Sequence, residues 1–452
     1  MKKKNTNLRF QHNHKPSITK TIPVGKKQCL TIERLSHDGR GIVKLQDKTW
    51  FVAGALPQEE IEARVMSSQS QWVNAKCERI ITPSPLRQAP LCQYAGICGG
   101  CELQHISYDE QVQLKQGSVI DQLQRFSSIK ITHWQPPLVG EPFGYRRRAR
   151  IAVRFDEKTK TLHVGFRAAF SQQIVPIKDC LVLTAPLRQL LQKLPTCLNE
   201  LNAPHNLGHI ELFDGDHTAL LVRHIKPLTD SDIQQFQLFC KENQCQLWLQ
   251  GKDKPTPFDE TQALQYSLSI ETKPLHINYQ MGDFIQVNAS INQQMVLQAL
   301  DWLTIQPNDT ILDLFCGLGN FTLPMATQAK KVIGVEVVET MVESAKNNAL
   351  NNNLNNTVFH QADLSQPITG KTWTREKLSA IVLDPPRDGA IQVIKQMGEL
   401  DTNRILYISC NPATLARDAE LLTKQGYQII KAGIIDMFPQ TSHIETMVLF
   451  ER

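Results

Sequence analysis

The chain has 452 residues, 41% hydrophobic and 21% charged, with a formal net charge of +5. That length and balance exclude a single minimal domain or a disordered chain, and leave room for two to four domains with sizeable cores. No apolar run approaches the ~20 residues that span a bilayer. The basic, polar start "MKKKNTNLRFQHNHKPSITK" lacks the apolar centre of a secretory signal, so the cytoplasm is the expected compartment.

Eleven cysteines are scattered through a long chain, which favours catalysis or metal binding over a disulfide framework. Charge is uneven. Residues 1–20 hold six Lys or Arg and no acid, and "YRRRARIAVR" (145–154) holds five arginines. Such clusters can neutralise phosphates. The plain alternative is a solvated tail for the first and a charged strand end for the second.

Residues 1–14 read as a basic flexible tail. From 15 to 81, short β segments alternate with Gly-bearing turns, the pattern of a small, strongly bent barrel of the oligonucleotide-binding type. "TPSP" (82–85) reads as a linker. Residues 82–280 form a central α/β region that opens on a cysteine cluster and a helix over 108–126. In that helix Val112, Val119, Leu123 and Phe126 recur at helical spacing. From 281 to 452, strands alternate with helices, which predicts a parallel, doubly wound sheet.

"LCQYAGICGGCELQH" (91–105) spaces Cys92, Cys98 and Cys101 as C-x5-C-x2-C. Thiolates this close can converge on one metal centre, and Gly99 and Gly100 let the backbone wrap it. A fourth ligand is needed, and Cys180, closing "IVPIKDC", is the candidate. Spacing alone leaves zinc and an iron–sulfur cluster both open. Cys29, Cys77, Cys197, Cys240 and Cys245 read as small core or surface residues.

"DTILDLFCGLGNFTLPMA" (309–326) is an apolar strand ending in an acid, then a Gly-x-Gly turn and a helix, the layout of a ligand crevice in an open sheet. "KKVIGVEVVE" adds a second strand ending at Glu336, suited to ribose hydroxyls. Asp363 follows a third, and a fourth opens into Asp384-Pro-Pro-Arg387. No third glycine stands at dinucleotide spacing, which disfavours a pyrophosphate. The series resembles a class I S-adenosylmethionine methyltransferase. Cys316, inside the turn, reads as a packing residue.

"ILYISCNPATLARD" (405–418) ends a strand at Cys410, on an Asn-Pro corner. A thiol there suits a nucleophile facing a cleft. Adding a thiolate to C6 of uracil gives an enolate whose C5 can accept a methyl group. A base must then remove the C5 proton. "PQTSHIETMVLFER" supplies Glu445, with His443 as its rival.

With "DFIQVNASINQQM", these segments resemble the RNA (uracil-C5)-methyltransferase family over nearly the whole chain. The barrel resembles a TRAM domain, an RNA-binding module. The resemblance implies Cys410 as nucleophile and Glu445 as base. It implies Gln286, Phe315, Asn320, Glu336, Asp363 and Asp384 around S-adenosylmethionine, and Phe284 where a flipped uracil would stack. It implies Cys92, Cys98, Cys101 and Cys180 as ligands of a [4Fe–4S] cluster. Barrel and cluster together point to 23S ribosomal RNA as the partner, and to a helix at 108–126 that can pack on the catalytic domain. A monomer is expected. A transfer RNA substrate, a 5-methylcytosine or N6-adenine enzyme, and a non-enzymatic, redox-sensing RNA-binding protein are the rivals. Asp384-Pro-Pro lacks the cysteine of the cytosine enzymes, and the adenine and non-enzymatic readings leave Cys410 without a role.

Overall fold

Lys27–Thr31 and Arg34–Leu35 are nearly continuous in the chain, yet they occupy the two ends of a six-stranded sheet. Between them lie Glu60–Ser68, Trp72–Thr82, Lys48–Ala53 and Gly41–Leu45, so the sheet curls round to meet itself. Three register shifts between Glu60–Ser68 and Trp72–Thr82 provide the bending. Alternate residues face inward, and Trp50, Val52, Ile61, Val65 and Val73 fill the core. The structure is a computed structural model that describes residues 21–452 except 128, 130, 260, 261, 271, 272 and 401. The expected tail, residues 1–14, lies outside the described residues.

The chain divides into two compact units, the barrel ending at Pro85 and the second running from Leu86 to Arg452 with the small segment His37–Gly39. "TPSP" begins inside the last barrel strand, which runs through Thr82.

The second unit holds two seven-stranded sheets. The first runs Thr256–Pro257, Gln246–Gln250, Thr218–His224, Leu207–Asp214, Arg148–Asp156, Thr161–Arg167, Ile174–Pro176. Helices Ala185–Asn199 and Asp230–Glu242 share its core through Leu187, Leu190, Leu191, Leu194, Phe236 and Phe239. These recur every three or four residues, as an amphipathic stripe must.

In the other sheet the strands are β1 (Thr310–Leu314), β2 (Lys331–Glu336), β3 (Thr357–Gln361), β4 (Ala380–Leu383), β5 (Arg404–Ser409), β6 (Gln428–Ile435) and β7 (Glu445–Glu451). Their order is β3-β2-β1-β4-β5-β7-β6, parallel except for β7. The order reverses between β1 and β4, and a doubly wound sheet opens its ligand crevice at the carboxyl ends there. These are the strands that end in Asp313-Leu314 and at Asp384.

Two segments join this catalytic layer from earlier in the chain. Helix Tyr108–Ser127 buries Val112, Val119 and Leu123 in the same core as Leu312, Ile381, Leu415 and Leu422. Phe126 departs from the expected stripe, being 61% exposed. The hairpin Gln265–Ile270/Lys273–Asn278 shares its core with helix Ala289–Leu303. Among the described residues no helix is long and apolar enough to cross a membrane.

Candidate active site

After β1 the chain turns sharply. Phe315, Gly317 and Gly319 all take positive φ (66°, 55° and 95°). The N–H groups of Phe315 and Cys316 donate to the Val335 carbonyl at 2.9 and 3.1 Å. At Gly319 the φ of 95° is one that side-chain-bearing residues rarely adopt, and a Cβ there would also displace the Leu323 side chain, so glycine is favoured. Glu336 ends β2 and ties the turn down. Its Oε2 accepts from Gly317 N–H at 3.2 Å, and its Oε1 from Val337 and Val338 N–H at 2.9 and 3.0 Å. Cys316 is buried beneath the turn, as its sequence setting suggests.

Under the turn lies Asp313, the acid near the end of β1. It is buried and accepts from the Thr322 hydroxyl. Burial, then the charges of Asp384 and Glu336, push it up to about 7. Asp363 follows β3 and is exposed; hydrogen bonds from Ser365 hold it below the usual carboxylate range. Asn320 is differently placed from the others. Its amide exchanges two hydrogen bonds with Asn292 (2.9 and 3.0 Å) and accepts from Tyr266 hydroxyl at 3.0 Å. Its side chain therefore fastens the turn to helix Ala289–Leu303 and to the hairpin.

Gln286 is buried, and its Oε1 has no partner among the described residues. Its carbonyl accepts from Arg147 Nε at 2.7 Å, and the Arg147 guanidinium lies 4.5 Å from the centre of the Tyr266 ring. In the sequence Arg147 is one charge of a basic run; in the fold it is buried, with one terminal nitrogen unpartnered among the described residues. Two residues before Gln286, Phe284 is 64% exposed. Arg148 is half-paired, donating to the Asp283 carbonyl and to Glu211 at 2.8 and 3.0 Å.

Cys410 is half-buried, one residue beyond the end of β5. Asn411 caps the helix Pro412–Lys424 by accepting from Ala413 N–H at 3.1 Å. Its Nδ2 and the Thr414 hydroxyl both donate to the Arg387 carbonyl, at 3.0 and 3.2 Å. These bonds bind the Asp384-Pro-Pro-Arg387 loop to the Cys410 corner. β7 pairs antiparallel with β5, and the ladder ends with Ser409 opposite Thr446. Glu445 is therefore the strand neighbour of Cys410. Burial, then Glu445 and Asp384, raise the Cys410 thiol, and Arg387 opposes them. Glu445 is 6% exposed, and burial with the Asp384 charge pushes it up to about 8. Burial lifts Asp384 to about 7. His443 faces outward at the rim, its imidazole lowered chiefly by desolvation.

Cys92, Cys98, Cys101 and Cys180 line one cavity of about 930 Å³, with Arg146 and His443 also at its wall. Gly99 donates to the Arg167 carbonyl at 2.9 Å, and a Cβ there would lie 3.2 Å from that oxygen. Cys101 is pushed up to about 12 and Cys180 to about 11, chiefly by burial and in part by the charges of Cys92 and Cys98. Among the described residues no three His, Cys, Asp or Glu side chains gather tightly enough for a single ion.

Residues 107–452 match the family described as tRNA (Uracil-5-)-methyltransferase, and residues 23–76 match the TRAM domain. A Pseudomonas fluorescens protein named 23S rRNA (uracil(1939)-C(5))-methyltransferase RlmD is 53% identical over 451 residues, covering 100% of both chains. A Pseudomonas aeruginosa protein of the same name is 51% identical over 95% of each chain. The crystal structure of Pyrococcus abyssi tRNA (uracil-54, C5)-methyltransferase with S-adenosyl-L-homocysteine superposes with a TM-score of 0.72. It covers 94% of this chain and 100% of its own, at 22% identity, a likeness of fold. With a family match over most of the chain and full-length relatives at half identity, this protein belongs to the RNA (uracil-C5)-methyltransferase family.

Proposed function

We propose that this protein transfers a methyl group from S-adenosylmethionine to C5 of a uridine in 23S rRNA, at the site named in its relatives, position 1939. One observation carries the reading: Cys410 and Glu445 stand at one edge of two paired strands, beside the Asp384 turn. S-adenosylmethionine supplies an electrophilic methyl group on a sulfonium. Gln286, Phe315, Asn320, Glu336, Asp363 and Asp384 are the residues assigned to its site.

Cys410 adds to C6 as the thiolate, moving electron density onto C5 and O4. C5 takes the methyl group. Glu445 then removes the C5 proton, the C5–C6 double bond re-forms, and the Cys410 sulfur leaves. The uracil reaches Cys410 only when unstacked, so a flipped or single-stranded nucleotide is implied, with exposed Phe284 as its stacking surface. The TRAM barrel and the 145–154 segment would hold the RNA backbone.

Cys92, Cys98, Cys101 and Cys180 would hold a [4Fe–4S] cluster. Four thiols lining one cavity are the soft donor set that such a cluster takes. Eleven cysteines scattered through a long chain, rather than set in a disulfide framework, fit an enzyme of a reducing compartment, the cytoplasm.

The test is a mechanism trap with 5-fluorouridine in an rRNA fragment containing the target. Fluorine replaces the proton that Glu445 should remove, so elimination stalls. A denaturation-stable, methylated adduct mapping to Cys410 supports the reading. Its absence, with cofactor binding demonstrated and the same fragment methylated when it carries uridine, would overturn it.

A further inference from the structure

Residues 436–444 carry the chain into β7 and so decide where Glu445 stands. Within this turn Gln440 is buried at φ +69°, a left-handed conformation that residues with a side chain rarely adopt. Strain of this kind persists only where the surroundings over-determine it. The surroundings here come from more than three hundred residues away. Gln111, on helix Tyr108–Ser127, accepts from Gln440 N–H at 3.0 Å and donates to Gln440 Oε1 at 3.0 Å. Leu103 N–H donates to the Gln440 carbonyl at 3.0 Å. Gln111 Nε2 also lies 3.1 and 2.9 Å from the carbonyls of Leu103 and Ile106, and its two hydrogens are shared among these and Gln440 Oε1, so its amide knits three segments together. Two further ties flank the turn. Glu102 accepts from Ser442 N–H at 3.2 Å, and Lys115 donates to the Phe438 carbonyl at 3.0 Å.

We propose that Gln111 is a positioning residue for the elimination step, clamping Gln440 in its left-handed conformation so that Glu445 meets the C5 proton. This rests on the role given to Glu445 above. Cys410 addition and methyl transfer do not use that carboxylate. In elimination, Glu445 takes the C5 proton, its electron pair re-forms the C5–C6 bond, and the carbon–sulfur bond breaks. A carboxylate misplaced by about 1 Å slows only this last step, by as much as ~100-fold. The methylated Cys410–RNA adduct then accumulates on ordinary uridine.

The experiment uses the full chain with S-adenosylmethionine and an rRNA fragment carrying unmodified uridine, reading the adduct on a denaturing gel during turnover. Glu445→Gln is the reference for blocked elimination. Gln111→Met keeps the volume and removes the hydrogen bonds; Glu102→Ala, at an exposed position, loosens the same turn without touching a core. The expected result is an adduct fraction at least about tenfold above wild type for Gln111→Met, with kcat and the RNA KM falling together once elimination limits turnover, so that kcat/KM stays at the wild-type value. Glu102→Ala gives a smaller rise. Adding Gln440→Gly, which adopts positive φ freely, brings the Gln111→Met adduct back towards wild type. Slower turnover without extra adduct, or wild-type behaviour of both variants, overturns the proposal. Should Gln111→Met not fold, Glu102→Ala decides: no rise in adduct overturns it. An adduct missing even in Glu445→Gln would mean that the base assignment itself is wrong, and the clamp falls with it.

Discussion

Cys410 and Glu445 leave adjacent antiparallel strands at the same edge, one step beyond the Ser409–Thr446 pair. The Glu445 charge, after burial, lifts the Cys410 thiol, while Glu445 is itself raised by burial and by the Asp384 charge. The removal of either should therefore be read through the step it serves. Cys410→Ala loses methyl transfer by at least about a thousandfold, while cofactor affinity measured by calorimetry stays close to wild type. Glu445→Gln retains addition and methylation, and its product is the trapped adduct.

Glu445 near 8 makes the reaction pH-dependent in a stated direction. The base acts as the carboxylate in elimination, so the rate of adduct breakdown, and kcat where that step limits it, falls by roughly tenfold per unit as pH drops below about 8. The Cys410 thiol is raised as well, so the profile climbs through that range without an early plateau. Asp384→Asn removes the anion that helps to raise Glu445, and moves the limb to lower pH when measured at saturating cofactor. A flat profile between pH 6 and 8 would contradict the base assignment.

The same shift makes a stability prediction. Glu445 binds its proton more tightly folded than unfolded, where its ordinary value is 4.5. Its contribution is complete below that value and is lost as pH rises through about 8. Asp313 and Asp384, both near 7, act in the same sense. The melting temperature of wild type should fall from pH 6 to pH 9. Glu445→Gln, neutral throughout, should decline less steeply, with a relative gain on the order of 2 kcal/mol at pH 9.

Much of this site could be read from the sequence because its signals are local. The glycines of 317–319, the acid at the end of each strand and the cysteine on an Asn-Pro corner each occupy a few consecutive residues. What could not be read depends on contacts between distant segments. Nothing in "YRRRAR" distinguishes buried Arg147 from its neighbours; the distinction arises because Gln286 and Tyr266 pack against it. Asn320 stands in a cofactor-turn pattern, yet its amide is engaged by Asn292 and Tyr266, from a helix and a hairpin that local pattern does not connect to it. Gln440 shows no local sign of positive φ, since the residues that impose it are Gln111 and Leu103.

The cysteine cavity makes a compositional prediction. Protein isolated without oxygen should carry iron with acid-labile sulfide, and Cys101→Ser should lose most of both. Zinc without sulfide would contradict the cluster. Cofactor affinity should change by no more than about twofold on loss of the cluster, because the thiols belong to a cavity separate from the glycine turn.

Lys115 and Asp436 form an ion pair at 2.6 Å, with side chains 2% and 0% exposed, between helix Tyr108–Ser127 and the turn that follows β6. Burying both charges is costly, so the pair adds little net stability over an apolar pair of similar shape; removing one partner is a different matter. Lys115→Met leaves Asp436 charged in a dry site and should cost about 3–5 kcal/mol in urea unfolding. Lys115→Met with Asp436→Leu removes both charges and should recover most of that loss. The double variant has a second use. It keeps the helix docked while releasing the Lys115 bond to the Phe438 carbonyl. If the turn's geometry depends on that bond, the stable double variant will still turn over slowly; if stability alone matters, its rate will return with its fold.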